Sequence, residues 1–98
     1  HNPVQKALTL LPHQATVIGL GRFNPAFSFY IRKPIPVVKH ASEIQAAESI
    51  YLLHLNKDTA AINPLTRQFT IVYQERDLFE PYTNFLLKTK PEVSKQSP

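Results

Sequence analysis

The sequence predicts a small α/β domain built in three layers on a five-stranded mixed sheet. Three observations carry that expectation. Apolar, partly β-branched runs at 15–20, 36–39 and 50–55 alternate with stretches of helical periodicity, as in parallel strands joined by crossovers. Two more strand-like runs, 69–75 and 82–89, are separated by too few residues for a helical crossover, so they form an antiparallel pair at one edge. Finally, 98 residues at 43% hydrophobic and 18% charged suit a single modest core. Right-handed crossovers place the first strand between the second and third, giving an order of about 2-1-3-4-5. Residues 1–90 form the domain and the polar 91–98 a flexible tail.

Each element has its own markers. In "NPVQKALTLLP", Asn2 is placed to cap a helix and Pro3 suits its first turn. Val4, Ala7, Leu8 and Leu11 share one face, and Pro12 ends it. "ATVIGL" is apolar throughout, as a strand covered on both sides requires, and Gly19 and Gly21 punctuate its end. Asn24-Pro25 repeats the cap-then-proline pattern and opens a short helix in which Phe27, Tyr30 and Ile31 share an inward face, with Phe29 beside them. Arg32 and Lys33 fall in its last turn, where cations complement the helix dipole. Pro34 and Pro36 stop it before the brief strand "PVVK". Ser42-x-x-Gln45 reads as a capping box opening a helix over 42–49. "IYLLHL" is the central strand. "NKDTAAINPLTRQ" is polar, with room for one helical turn before Asn63-Pro64. "FTIVYQE" alternates Phe69, Ile71 and Tyr73 against Thr70, Val72 and Gln74, a strand with one wetter face.

Composition narrows function by exclusion. With no cysteine the chain has no thiolate catalysis, cysteine zinc site or disulfide. No apolar run is long enough to span a bilayer, and no flanked apolar stretch marks a signal peptide. A start at His1 suggests a piece of a longer polypeptide. The net charge of +4 is unevenly spread: residues 1–42 hold Lys6, Arg22, Arg32, Lys33 and Lys39 and no acid, while all seven acids lie from Glu43 onward. A basic half of this kind faces an anionic partner or is simply a solvated surface.

Known chemical motifs fit poorly. Gly19-x-Gly21 begins like a dinucleotide fingerprint, but Asn24 stands at the third glycine and Pro25 deletes an amide a pyrophosphate would use. "RFNPAFSFY" interleaves a base with aromatics, yet Phe23 and Pro25 break the ribonucleoprotein pattern, so nucleic acid is not expected. His13, His40 and His54 lack metal-ligand spacing, and His54 reads as a hydrogen-bonded core imidazole. Neither Ser28 nor Ser42 lies in a nucleophile elbow, and Glu43 and Glu48 on a helix, like Glu75, Asp77 and Glu80 around a turn, carry no sign of burial. No catalytic, cofactor-binding or metal-binding residue is assigned.

One segment is more specific. "NPAFSFYIRKPIPVV" (24–38), followed by "HASEIQAA" and "IYLLHLNKD", resembles the small soluble domain after the last membrane helix of certain polytopic glycosyltransferases. These are the enzymes similar to protein O-mannosyltransferases and the lipid A aminoarabinose transferase. Pro25, the Phe29-Tyr30 pair and the Lys33-Pro34-Ile35 corner carry the likeness, which spans about residues 12–60 and departs from the family pattern at Ala26 and Lys33. The resemblance implies an extracytoplasmic (periplasmic) domain of a polyprenyl-phosphate-sugar-dependent transferase, helping to shape or cover its acceptor side. It implies no catalytic group and no cofactor in this domain, because the family's active-site residues lie in loops between membrane helices. Implied partners are the transmembrane part of the same polypeptide and anionic lipid headgroups or the lipid-phosphate donor, met through Lys6, Arg22, Arg32 and Lys33. The alternative is a stand-alone module for an anionic ligand, nucleotide or nucleic acid.

Overall fold

Strand β3 (Ile50–Asn56), whose first residues are buried without a break, holds the centre of a sheet that everything else is packed against. The computed structural model of the chain describes residues 3–44, 49–77 and 79–90. On one side of β3 lie β1 (Thr16–Leu20) and then β2 (Val37–Val38), all three parallel. On the other side lie β5 (Thr83–Thr89), antiparallel to β3, and β4 (Phe69–Arg76) at the edge. The order is therefore β2-β1-β3-β5-β4, with the first three strands parallel and an antiparallel pair at one edge.

The last two strands stand in the reverse of the expected sequence, and burial gives the reason. Phe85, Leu86 and Leu87 of β5 are buried on both faces, which only an interior position satisfies. By contrast Thr70, Ile71, Gln74 and Arg76 leave β4 open to water, as an edge strand is. The chain leaves β3, crosses one strand's width through the 3-10 helix Thr59–Arg67, and returns as β5 into the slot it skipped. That helix is longer than the single turn expected, and Pro64 sits inside it. The Asp58 carboxylate accepts from the Ala60 amide to start it.

Two clusters of apolar side chains sit on opposite faces of the sheet, giving the three layers. Helices α1 (Pro3–Leu8) and α2 (Ala26–Ile31) cover one face, where Val4, Ala7 and Phe27 meet Tyr51, Leu53 and Leu86. The 3-10 segments cover the other, where Ile62 joins Leu20, Leu52, Phe69, Phe85 and Leu87, with Ala41, Ile44 and Leu65 against them. The alternation along β3 sorts Tyr51 and Leu53 from Leu52 in this way.

Several local expectations are corrected. α1 ends at Leu8 and continues to Leu11 only as tighter turns, Leu10 N–H to Ala7 O at 3.0 Å and Leu11 N–H to Leu8 O at 3.2 Å. The proposed cap Asn2 lies outside the described residues. Tyr30 is not buried with Phe27: it is 40% exposed, and Phe29 is 71% exposed, because a six-residue helix has only one narrow inward stripe, which Phe27 and Ile31 fill. The helix expected from Ser42 does not begin there. Instead the Glu43 carboxylate reaches back to the amides of His40 (2.9 Å) and Lys39 (3.0 Å), closing a 3-10 turn over Ala41–Glu43, and Ile44 is already extended. Residues 45–48 of that expectation, like the tail from 91, lie outside the described ones. In β4 a bulge between Ile71 and Tyr73 breaks the alternation, so Phe69 packs on one face while Val72 and Tyr73 pack on the other.

Candidate functional site

The glycine pair at the end of β1 has no amide to offer a phosphate. Gly19 N–H donates to Pro36 O and Gly21 N–H to Val38 O, both at 2.8 Å, as rungs of the β1–β2 pairing. At the start of α2, Ala26 N–H donates to Asn24 Oδ1 (2.9 Å), Phe27 N–H to Asn24 O (3.0 Å) and Ser28 N–H to Pro25 O (3.1 Å). A cradle needs free amides. These are all spent. The glycines answer to packing and turning instead. A Cβ on Gly19 would lie 2.5 Å from the Phe23 ring, and Gly21 turns the chain at φ +63°.

Beyond that turn, the carboxyl ends of β1 and β3 open onto a crevice of about 240 Å³ between Arg22, Asn24, Leu55, Asp77, Glu80 and Tyr82. Open α/β sheets commonly take ligands at this end. Here Arg22 donates from its guanidinium to the Tyr82 hydroxyl at 3.0 Å and lies 4.9 Å from the ring centroid. The Lys57 ammonium lies 5.6 Å from the same ring. Asp77 is occupied by the β4–β5 turn, accepting from the amides of Phe79 (3.0 Å) and Glu80 (2.9 Å). The crevice therefore holds a cation–aromatic cluster that ties the loop after β1 to the hairpin. Sequence reasoning missed Tyr82 and Lys57, since 60 residues separate Arg22 from Tyr82 and only the strand order joins them.

His54 takes the role expected of it. Its Nδ1 lies 2.8 Å from Leu20 O, its Nε2 lies 3.2 Å from the Asn56 amide nitrogen, and its ring stacks on Phe85 at 6.3 Å. With Nδ1 at the Leu20 carbonyl and Nε2 beside the Asn56 amide, it is a strut between β1 and β3. One phenol is perturbed: burial, the hydrogen bond to Glu75 and that carboxylate's charge push Tyr73 up to about 12. Among the described residues no group of three His, Cys, Asp or Glu is arranged to hold a metal ion.

The opposite, amino end of β1 differs in character. There the ends of α1 and α2 border a cleft of about 450 Å³ whose walls include Leu8, Leu11, His13, Tyr30, Ile31 and Lys33. A neighbouring hollow of about 310 Å³ runs along Ile35 and Pro36 and shares Lys33 with the first. Phe29 and Tyr30 meet edge to face at 5.3 Å on the exposed side of α2, and Gln5 of α1 donates to the Tyr30 hydroxyl at 3.4 Å. Of the four cations singled out in the sequence, Lys6, Arg32 and Lys33 belong to this helical layer, all exposed. Arg22 does not. It sits at the far end of β1, engaged with Tyr82.

No family model, curated protein or solved structure matches this chain.

Proposed function

We propose that this chain is an extracytoplasmic domain of a membrane-embedded glycosyltransferase that uses a polyprenyl-phosphate-linked sugar, and that it covers or shapes the acceptor side of that enzyme without supplying catalytic groups. The observation that carries the reading is the corner from α2 to β2, the segment whose sequence resembles that family. It folds as one unit with a division of labour. Phe27 anchors it in the core, while Phe29, Tyr30 and Lys33 face outward beside the cleft. A domain of this size gains no stability from a 71% exposed Phe29, whereas a surface held against a membrane has a use for it.

The alternative of an anionic-ligand module is less well supported, because the amides of Gly19, Gly21, Ala26, Phe27 and Ser28 are engaged and Arg22 is held by Tyr82. Titration with nucleotide or oligonucleotide at low and moderate salt tests it directly, since phosphate binding falls steeply with salt. The transferase reading is tested on the full polypeptide. Upstream of His1 the reading frame is expected to encode several apolar stretches of about 20 residues. Transfer from a polyprenyl-phosphate sugar in membranes is expected to fall when this domain is deleted. A soluble upstream region, or undiminished transfer after deletion, would overturn it.

A further inference from the structure

We propose that the outer surface of the α1–α2 layer docks on an anionic lipid surface, with Phe29, Tyr30 and Leu10 entering the headgroup interface and Lys6, Arg32 and Lys33 meeting its phosphates. The inference rests on the membrane-tethered reading above, and it names the partner of this face.

Geometry puts these residues on one side. Both helices lie on the same face of the sheet, and Gln5 touches Tyr30 across them. On α1, Val4 and Ala7 point to the core and Lys6 away from it, and Leu10 follows in the tighter turn beyond the helix. On α2, Phe29 lies about 200° around the helix from the buried Phe27. Leu10 is 43% exposed and Phe29 71%, large apolar groups on the outside of a layer whose inside is already filled. Arg32 takes a left-handed backbone (φ 60°) at the end of α2, so the chain turns sharply there and leads into Lys33 and Pro34.

Charge decides the occupant. Residues 3–42 contain no acid, so every charged side chain on α1 and α2 and in their connections is a cation. Aromatic rings favour the headgroup level of a bilayer, and Lys and Arg extend past apolar neighbours to reach phosphate. Three cations near an anionic leaflet, each worth about a fivefold gain in binding, give weak and salt-sensitive docking. Such docking would orient a tethered domain without anchoring it.

The test is co-sedimentation of the 98-residue chain with vesicles of phosphatidylcholine alone and of phosphatidylcholine with phosphatidylglycerol, at low and high salt. Binding is expected only to the anionic vesicles and only at low salt. Phe29→Ala, a change at an exposed position, should weaken it about tenfold. Lys33→Glu, which alters charge by two, should weaken it about 25-fold. Arg22→Glu, at the far end of β1, should change it by less than about threefold. No binding at low salt, equal binding to both vesicle types, or an Arg22→Glu loss as large as that of Lys33→Glu would each overturn the proposal. Failure here is distinct from failure of the transferase reading. A chain that ignores vesicles although its reading frame encodes membrane spans sinks only the docking surface. A chain that binds them without such spans sinks only the transferase.

Discussion

Replacing Gly19 with alanine tests why that glycine is there. The added Cβ would lie 2.5 Å from both Cδ1 and Cε1 of Phe23 and 3.5 Å from Val37 Cγ2. Carbon atoms pack comfortably at about 3.5–4.0 Å, so the ring must retreat by roughly 1 Å or more. Phe23 packs against the α1–α2 cluster, and the strand beneath is pinned by pairing to both β2 and β3, so neither side yields freely. Overpacking of this kind costs about 1–3 kcal/mol. Urea denaturation followed by far-ultraviolet circular dichroism would measure it, with an unchanged slope showing that stability alone has moved. The decisive version is a double-mutant cycle. On a Phe23→Ala background the clash is gone, and Gly19→Ala should cost less than about 0.5 kcal/mol, leaving a coupling of about 1–2 kcal/mol. Gly21→Ala gives the contrast. Among the described residues no atom lies within 4 Å of its Cβ position, but φ is +63°, so it should cost about 1 kcal/mol whatever stands at 23. Equal costs for Gly19→Ala on the two backgrounds, or no cost on the native one, would refute the packing argument and reopen a ligand role for the pair.

Three further outcomes are expected. Arg32→Gly should raise stability by about 0.5–1 kcal/mol in the same denaturation assay, because glycine takes the left-handed backbone at the end of α2 without a Cβ penalty; a loss would mean the arginine side chain holds that corner. Asn84 is 4% exposed in β5, and neither its Oδ1 nor its Nδ2 has a hydrogen-bond partner among the described residues, so Asn84→Leu should be neutral or stabilising by up to about 2 kcal/mol, and a large loss would show that the amide is satisfied in solution. Tyr73 should titrate near 12 rather than 10 when its absorbance is followed, and Glu75→Gln should lower that value. The folded state keeps the phenolic proton that the unfolded state begins to lose near 10, so the contribution is complete below about 10 and fades as pH rises towards 12. Tyr73→Phe should flatten that part of the stability profile, and an ordinary titration near 10 would remove the argument.

What was legible in the chain was local. The runs at 15–20 and 50–55 announce buried strands because a strand covered on both faces can carry few polar residues, and β1 and β3 lie where that pattern puts them. Asn24-Pro25 and Pro34 bound α2 because capping and proline act within a few residues. The charge asymmetry of residues 1–42 is likewise a property of the string itself. Competition between distant segments was not legible. Whether β4 or β5 lies beside β3 depends on which strand can be buried on both faces and on how far the Thr59–Arg67 helix carries the chain. The bulge at Ile71–Tyr73 then decides which face Tyr73 joins. Tertiary placement also divided the cations, drawing Arg22 to Tyr82 and leaving Lys6, Arg32 and Lys33 on the helical layer. It turned Phe29 outward, since α2 is too short to bury more than one narrow stripe. The composition made a basic, aromatic half, and packing determined which of its side chains the core could hold and which were left to face outward.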